Sequence, residues 1–161
     1  MRTVRYNSIG VIHSPFKDAF GAPIQSIAAK HARGTIEILP QFVSGLKDIA
    51  GFSHLILVYH FHLSHGSSLT VKPYLDNKEH GIFATRAPVR PNPIGLSVVR
   101  LLRVRGGTLW IQDVDILDGT PLLDIKPYVP QFDVRRAGRI GWLQKNIHRV
   151  HRTKSDGRFT E

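Results

Sequence analysis

Apolar and polar residues alternate with a period of two over several short runs, the spacing of strands that bury one face. The runs cover residues 8–13, 34–39, 54–62, 80–86, 95–104 and 108–117. In the third, Leu55, Leu57, Tyr59 and Phe61 fall on one face and His54, Ile56, Val58, His60 and His62 on the other, so the first face is assigned to the core. Turn formers punctuate the runs. Arg105-Gly106-Gly107 between two apolar runs predicts a hairpin, because glycine supplies the positive φ that tight turns need. A short helical turn is expected at 44–49. Ile140, Leu143, Ile147 and Val150 have helical spacing and predict a short amphipathic helix near the C-terminus.

Many strands and few helices predict a mostly β chain: a single small β-barrel with short helical segments, since closure hides the unpaired edges of an open sheet. The barrel domain is placed at 1–134 and a basic C-terminal extension at 135–161. A chain of 161 residues, 42% of them hydrophobic, can bury roughly two thirds of its unfolded surface as one domain. No cysteine is present, which excludes disulfides, thiolate zinc sites and cysteine nucleophiles. The N-terminus lacks the apolar core of a secretory signal, and the longest apolar run, 55–59, is far shorter than the about 20 residues of a membrane span. The expectation is a cytoplasmic protein with no membrane association.

The net charge of +10 attracts polyanions, nucleic acid above all. Its distribution is uneven: Arg135 to Arg158 holds eight Lys or Arg and one acid. Two readings follow, a solvated tail or an RNA-gripping segment.

Candidate chemistry gathers in three places. Arg86 to Ser97, reading RAPVRPNPIGLS, packs three X-Pro bonds into six residues. Each proline fixes its own φ and extends its predecessor, so Arg86, Arg90 and Asn92 ride on a stiff path and lose little freedom on meeting an anion or a base. Gly95 then permits a turn or a close backbone approach. His60 and His62, with His65 and His80 nearby, are possible imidazole ligands, although no spaced carboxylate motif accompanies them and no metal is assigned. Asp113 and Asp115 are expected on one strand face, opposite Trp110, Val114 and Ile116, where they could bind a cation, hold a ribose or accept a proton. Asp118-Gly119-Thr120-Pro121 reads as a turn capped by the Asp side chain. No Rossmann or P-loop glycine motif and no G-x-S-x-G elbow occurs.

FSHL at 52–55, FATRAPVRPNPIGLS from Phe83 and DGTPLLDIKPYVP from Asp118 closely resemble the TsaA-like proteins, also called the YaeB or TrmO family, over about Ile9 to Pro130. The resemblance implies a small β-barrel, usually a homodimer, that binds S-adenosylmethionine without a Rossmann fold. It also implies methylation of the exocyclic nitrogen of threonylcarbamoyladenosine beside the tRNA anticodon, with the anticodon loop as partner. Carried over by position, the cofactor residues are Ile24, Gln25, Ser26, His62, Leu63, Arg86, Leu96, Gln112, Asp113, Val114 and Asp115. Asp115 is also the candidate base, and Arg90, Asn92 and Lys126 are the substrate-binding candidates.

Two departures mark this chain. Pro23-Ile24-Gln25 stands where many relatives have Pro-Arg-Gln, and longer bacterial members continue into a further C-terminal domain. Three alternatives remain at this point: methylation of another RNA or a small molecule, a metal-dependent hydrolase on His60, His62 and the Asp pair, and a non-catalytic RNA-binding module.

Overall fold

The computed structural model describes residues 2–160. Six strands close into a barrel: β1 (Gly10–His13), β2 (Arg33–Ile38), β3 (His54–His60), β6 (Ile94–Arg105), β7 (Thr108–Gln112) and β8 (Thr120–Pro127). Their order around the barrel is β1-β2-β7-β6-β3-β8, and β1 pairs antiparallel with β8 to complete the ring. A small second sheet joins β4 (Thr70–Val71) to β5 (His80–Gly81). The one α-helix among the described residues, α1 (Pro130–Asp133), is a single turn starting at a proline, where the missing N–H costs nothing.

Alternation decides which face enters the barrel. Ile12, Ile36, Leu55, Leu57, Val99, Leu109, Ile111 and Leu122 are fully buried, and the inward face of β3 is the one read from the sequence. Each such side chain contributes roughly 1.5–3 kcal/mol by leaving water. The 105–108 hairpin also forms, with Arg105 opposite Thr108 and Gly106 at φ 56°.

Several elements differ from the sequence reading. The run 108–117 is not one strand: β7 ends at Gln112, and Asp113 turns the chain at φ 67°. Asp113 and Asp115 therefore do not share a strand face. Trp110 is separated from its expected neighbours too, since Val114 and Ile116 re-enter the core while Trp110 lies half-buried between the inward Leu109 and Ile111. The run 80–86 gives only β5 followed by a 3-10 turn, Ile82–Ala84. β8 went unread because its hydrophobic run directly follows the Asp118-Gly119 turn and contains two prolines. The first, Pro121, opposes Val11 of β1, and Pro127 ends the strand. The helical turn near 44–49 becomes two 3-10 segments, Pro40–Leu46 and Ile49–Gly51.

The C-terminal stretch is built from 3-10 turns, Gly141–Lys145 and Ile147–Arg149, rather than an amphipathic helix; Gly141 at φ 60° precludes a regular start. It nevertheless docks. Phe159 is buried with Val71, Ile82 and Ala87 in a second apolar cluster, against which Tyr74 packs edge-on to the Phe159 ring. Two backbone bonds, Gly21 N–H to Ser155 O and Ser155 N–H to Ala22 O, fasten it to the loop after β1, and Lys154 bridges Pro23.

Candidate functional site

The stiff loop behaves as the prolines require, and its two arginines face different tasks. Arg90 Nη1 lies 3.2, 3.0 and 3.3 Å from the carbonyl oxygens of Ile82, Thr85 and Ala87, so its guanidinium gathers the loop that carries Arg86. Thr85 Oγ1 adds a bond to Ile82 O. Arg86 is exposed and donates to the side-chain oxygen of Gln25 at 2.8 Å. The tail buttresses the same loop, because Trp142 Nε1 donates to Ala84 O at 2.8 Å while its indole stacks on His80.

Behind Arg86 runs a chain of polar side chains facing into the barrel. Ser97 Oγ donates to Asp115 at 2.6 Å and lies 3.0 Å from the Tyr59 hydroxyl. Gly95 makes this possible: a Cβ there would overlap the Tyr59 ring, so the close approach anticipated at that glycine is to a side chain. Burial pushes the Asp115 carboxyl up to about 6, against the Ser97 hydrogen bond and the positive charge of Arg86, which both favour ionisation. Tyr59 is raised as well, by burial first and by Asp115 next.

At the end of β7 two residues in left-handed backbone meet. His31 (φ 70°) donates its amide to Asp113 (φ 67°) at 2.8 Å, and the Asp113 amide donates to Ala32 O at 2.8 Å. Gln112 Nε2 approaches His31 Nδ1 at 3.4 Å. Such conformations cost energy in non-glycine residues and collect at functional sites. Asp113 thus serves as a backbone clasp, and the turn it makes delivers Val114 to the core and Asp115 to Ser97.

The remaining sequence candidates separate. His62 sits 3.2 Å from Thr120 Oγ1, and burial followed by the neighbouring His60 lowers its pKa. Leu63 lines a different cleft, of about 330 Å³, with Phe20, His65 and Asp156. Leu96 is 57% exposed on the outer face of β6, whereas Ser97 next to it points inward. Asn92 is exposed at the loop's end. Lys126 pairs with Asp124 at 2.6 Å and lies opposite Ile56, displaced along β3 from the Tyr59 end of the barrel. Ile24 and Ser26 flank Gln25, partly buried. As for a metal cluster, no three His, Asp or Glu side chains are arranged to hold a metal ion among the described residues. His80 is instead held by Asp76 at 3.0 Å. Sequence reasoning missed Ser97 and Tyr59 as site residues. Their signal was their register, since Leu57 opposes Ser97 and Tyr59 opposes Gly95 across β3 and β6.

The family model of the tRNA-methyltransferase O N-terminal domain matches residues 11–134 and so takes in Gln25, Arg86, Ser97 and Asp115. The chain belongs to this family. Relatives agree. It is 61% identical over 154 residues to a probable S-adenosyl-L-methionine-binding protein of Pyrococcus abyssi, covering 96% of this chain and 84% of that one. It is 37% identical to the tRNA (adenine(37)-N6)-methyltransferase of Escherichia coli, covering 81% of this chain and 60% of the relative. A crystal structure of TrmO from Pseudomonas aeruginosa superposes with a TM-score of 0.73 at 43% identity over 88% of this chain and 63% of that one. Against the latter two, the chain spans about three fifths of the relative's length. The family segment ends at 134, whereas the similarity to the Pyrococcus abyssi relative covers 96% of this chain and so runs on into the basic stretch beyond it. No helix among the described residues is long and apolar enough to cross a membrane.

Proposed function

We propose that this protein is an S-adenosylmethionine-dependent methyltransferase that modifies the exocyclic nitrogen of threonylcarbamoyladenosine beside the tRNA anticodon. The observation that carries the reading is the convergence of Arg86, Gln25 and Asp115 from three separated segments at one end of the barrel. An amino-acid moiety carries a carboxylate and an ammonium, and a fixed guanidinium with a nearby carboxylate matches that charge pair. Arg86 takes the carboxylate, exchanging Gln25 for a charged acceptor. Gln112 to Asp115 supply hydrogen-bond acceptors for the nucleoside part. When bound, S-adenosylmethionine supplies an electrophilic methyl group.

The family members named tRNA (adenine(37)-N6)-methyltransferase support the substrate. The accepting nitrogen shares its lone pair with the purine and must lose a proton, so catalysis is chiefly positioning, which can contribute about 7–11 kcal/mol when orientation is ideal. Asp115, with a carboxyl near 6, falls in the range where a base works at neutral pH, and Ser97 fixes its orientation. Arg90 acts through the loop and not on the substrate, because its Nη1 already faces three backbone carbonyls.

A homodimer fits the outer face of the barrel. Val58 lies opposite Leu96 and Ile56 opposite Val98, so β3 and β6 present a continuous apolar strip outward. A second copy seated there would cover Leu96 and account for its place among the cofactor residues, on the other side of β6 from Ser97. Mass spectrometry of nucleosides from tRNA incubated with the protein and isotopically labelled S-adenosylmethionine tests the reaction. Labelled threonylcarbamoyladenosine is the expected product, and donor binding with no labelled nucleoside would refute the tRNA assignment.

A further inference from the structure

A cleft of about 420 Å³ opens between the loop after β1 and the docked C-terminal segment, within the about 300–1,000 Å³ range of small-ligand sites. Phe16 and Pro23 line it together with Lys30, His31, His151 and Lys154, and no acidic residue does. The four basic side chains are exposed, and neither lysine is in an ion pair among the described residues. The second cleft, by contrast, carries Asp18 and Asp156.

We infer that the basic cleft between Lys30 and Lys154 is a phosphodiester-binding site that seats the backbone of the acceptor RNA strand beside the methyl-donor site. Continuity with that site is structural. His31 lines the cleft and, through its amide, holds Asp113, whose turn places Asp115. Lys154 bridges Pro23, two residues before the Gln25 that contacts Arg86. Both walls are therefore anchored to segments that shape the donor site, and a phosphate in the cleft would fix an RNA strand relative to it. Position, not base identity, is what such contacts provide. Phe16 offers an apolar surface for a sugar or base edge at the same place.

The inference deepens the RNA reading given above, and the tail changes meaning with it: of its eight Lys and Arg, Lys154 acts at a built cleft rather than as part of a diffuse field. The test uses the full chain with the pair K30A/K154A, and the pair K47A/K78A as an equal removal of exposed charge away from the cleft. Binding of a fluorescent single-stranded oligoribonucleotide is followed by anisotropy across a salt series, with donor affinity by calorimetry as the folding control. The cleft pair should weaken RNA binding roughly tenfold and reduce the slope of log affinity against log salt by about 1.4, at about 0.7 per phosphate contact on a single strand. Donor affinity should stay unchanged, and K47A/K78A should move neither reading. Equal losses in the two pairs, or no loss in either, would overturn the cleft. Inorganic phosphate is the third probe: if the cleft pair abolishes phosphate binding but leaves the oligoribonucleotide untouched, the site is one for a free anion and the RNA assignment is wrong. Because the oligoribonucleotide need not be a methyl acceptor, the result stands apart from whether tRNA is methylated.

Discussion

Arg86 donates to the side-chain oxygen of Gln25 across 61 residues of sequence, and this bond holds the guanidinium in place on the rim of the barrel. Arg86→Ala should weaken S-adenosylmethionine binding by roughly 10- to 150-fold, the range of a lost hydrogen bond to a charged group at about 1.5–3 kcal/mol. Gln25→Ala should cost less, since it removes only the partner that the ligand carboxylate replaces. Isothermal calorimetry on both variants measures the difference, and equal losses would mean that Gln25 contacts the ligand as strongly as Arg86 does.

Asp115 should make stability depend on pH in a defined direction. Its carboxyl is raised to about 6 in the folded protein from 3.8, so the folded state binds the proton more tightly than the unfolded chain. The stability this contributes is fully present below about pH 3.8 and is lost as pH rises through 6. The loss amounts to about 3 kcal/mol, at 1.36 kcal/mol per pH unit. Asp115→Asn, which keeps an acceptor for Ser97, should therefore raise the urea midpoint at pH 8 relative to the parent and converge with it near pH 4. The same variant should lose methyl transfer. A variant less stable at pH 8 would show that the ionised carboxylate has a partner that compensates its burial.

Arg90→Ala should loosen the loop that presents Arg86. The expected signature is a weaker donor affinity with equal effects on acceptors with and without the threonylcarbamoyl group. Arg90→Lys should rescue it in part, because all three carbonyl contacts are made by the single Nη1 and an ammonium also offers its donors from one nitrogen. A loss confined to the threonylcarbamoyl acceptor would place Arg90 on the substrate after all.

Gly95→Ala forces a Cβ into the Tyr59 ring and should destabilise the barrel by about 1–3 kcal/mol. Tyr59→Phe removes only the bond to Ser97 and should cost about 1 kcal/mol. Urea unfolding separates the two, and a neutral Gly95→Ala would require the ring to find another rotamer without loss.

Phe159→Ala should cost about 3–5 kcal/mol, as for a buried aromatic, although it lies two residues from Glu161. Chain melting measured by circular dichroism checks this. An unchanged melting temperature would mean that the tail does not dock in solution. Truncation after 134 is accordingly a poor probe of RNA binding, since it exposes Val71, Ile82 and Ala87 as well as removing charge.

Period-two patterning revealed the barrel because β2, β3, β6 and β7 each bury one face and leave the other half-exposed. β8 escaped it, as two prolines and a preceding Asp-Gly turn resemble a loop until β1 and β3 are seen to flank it. The site was legible where rigidity could be read locally, at Arg86 and its prolines. The Asp113–Asp115 pair was misplaced because left-handed backbone at Asp113 is dictated by the His31 and Ala32 contacts, which are remote in sequence. Arg90's inward role was likewise invisible, since an arginine between prolines carries no local sign of whether it faces solvent or its own backbone. The register that brings Tyr59 beside Ser97 comes from strand pairing, and the turn at Asp113 then brings Asp115 to them.

Barrel closure sets a timetable for folding. The seam is formed by β1 and β8, and Ser8 reaches Leu122 across 114 positions. During synthesis the first strands leave the ribosome with no partner for the outer edge of β1, and that edge stays open until nearly the whole family domain has emerged. Long-range pairing of this kind folds slowly, and unpaired edges recruit other chains meanwhile. The final residues complete the second cluster only after the ring is shut, so a nascent chain stalled before Phe159 would hold a closed barrel with an apolar patch still open to water.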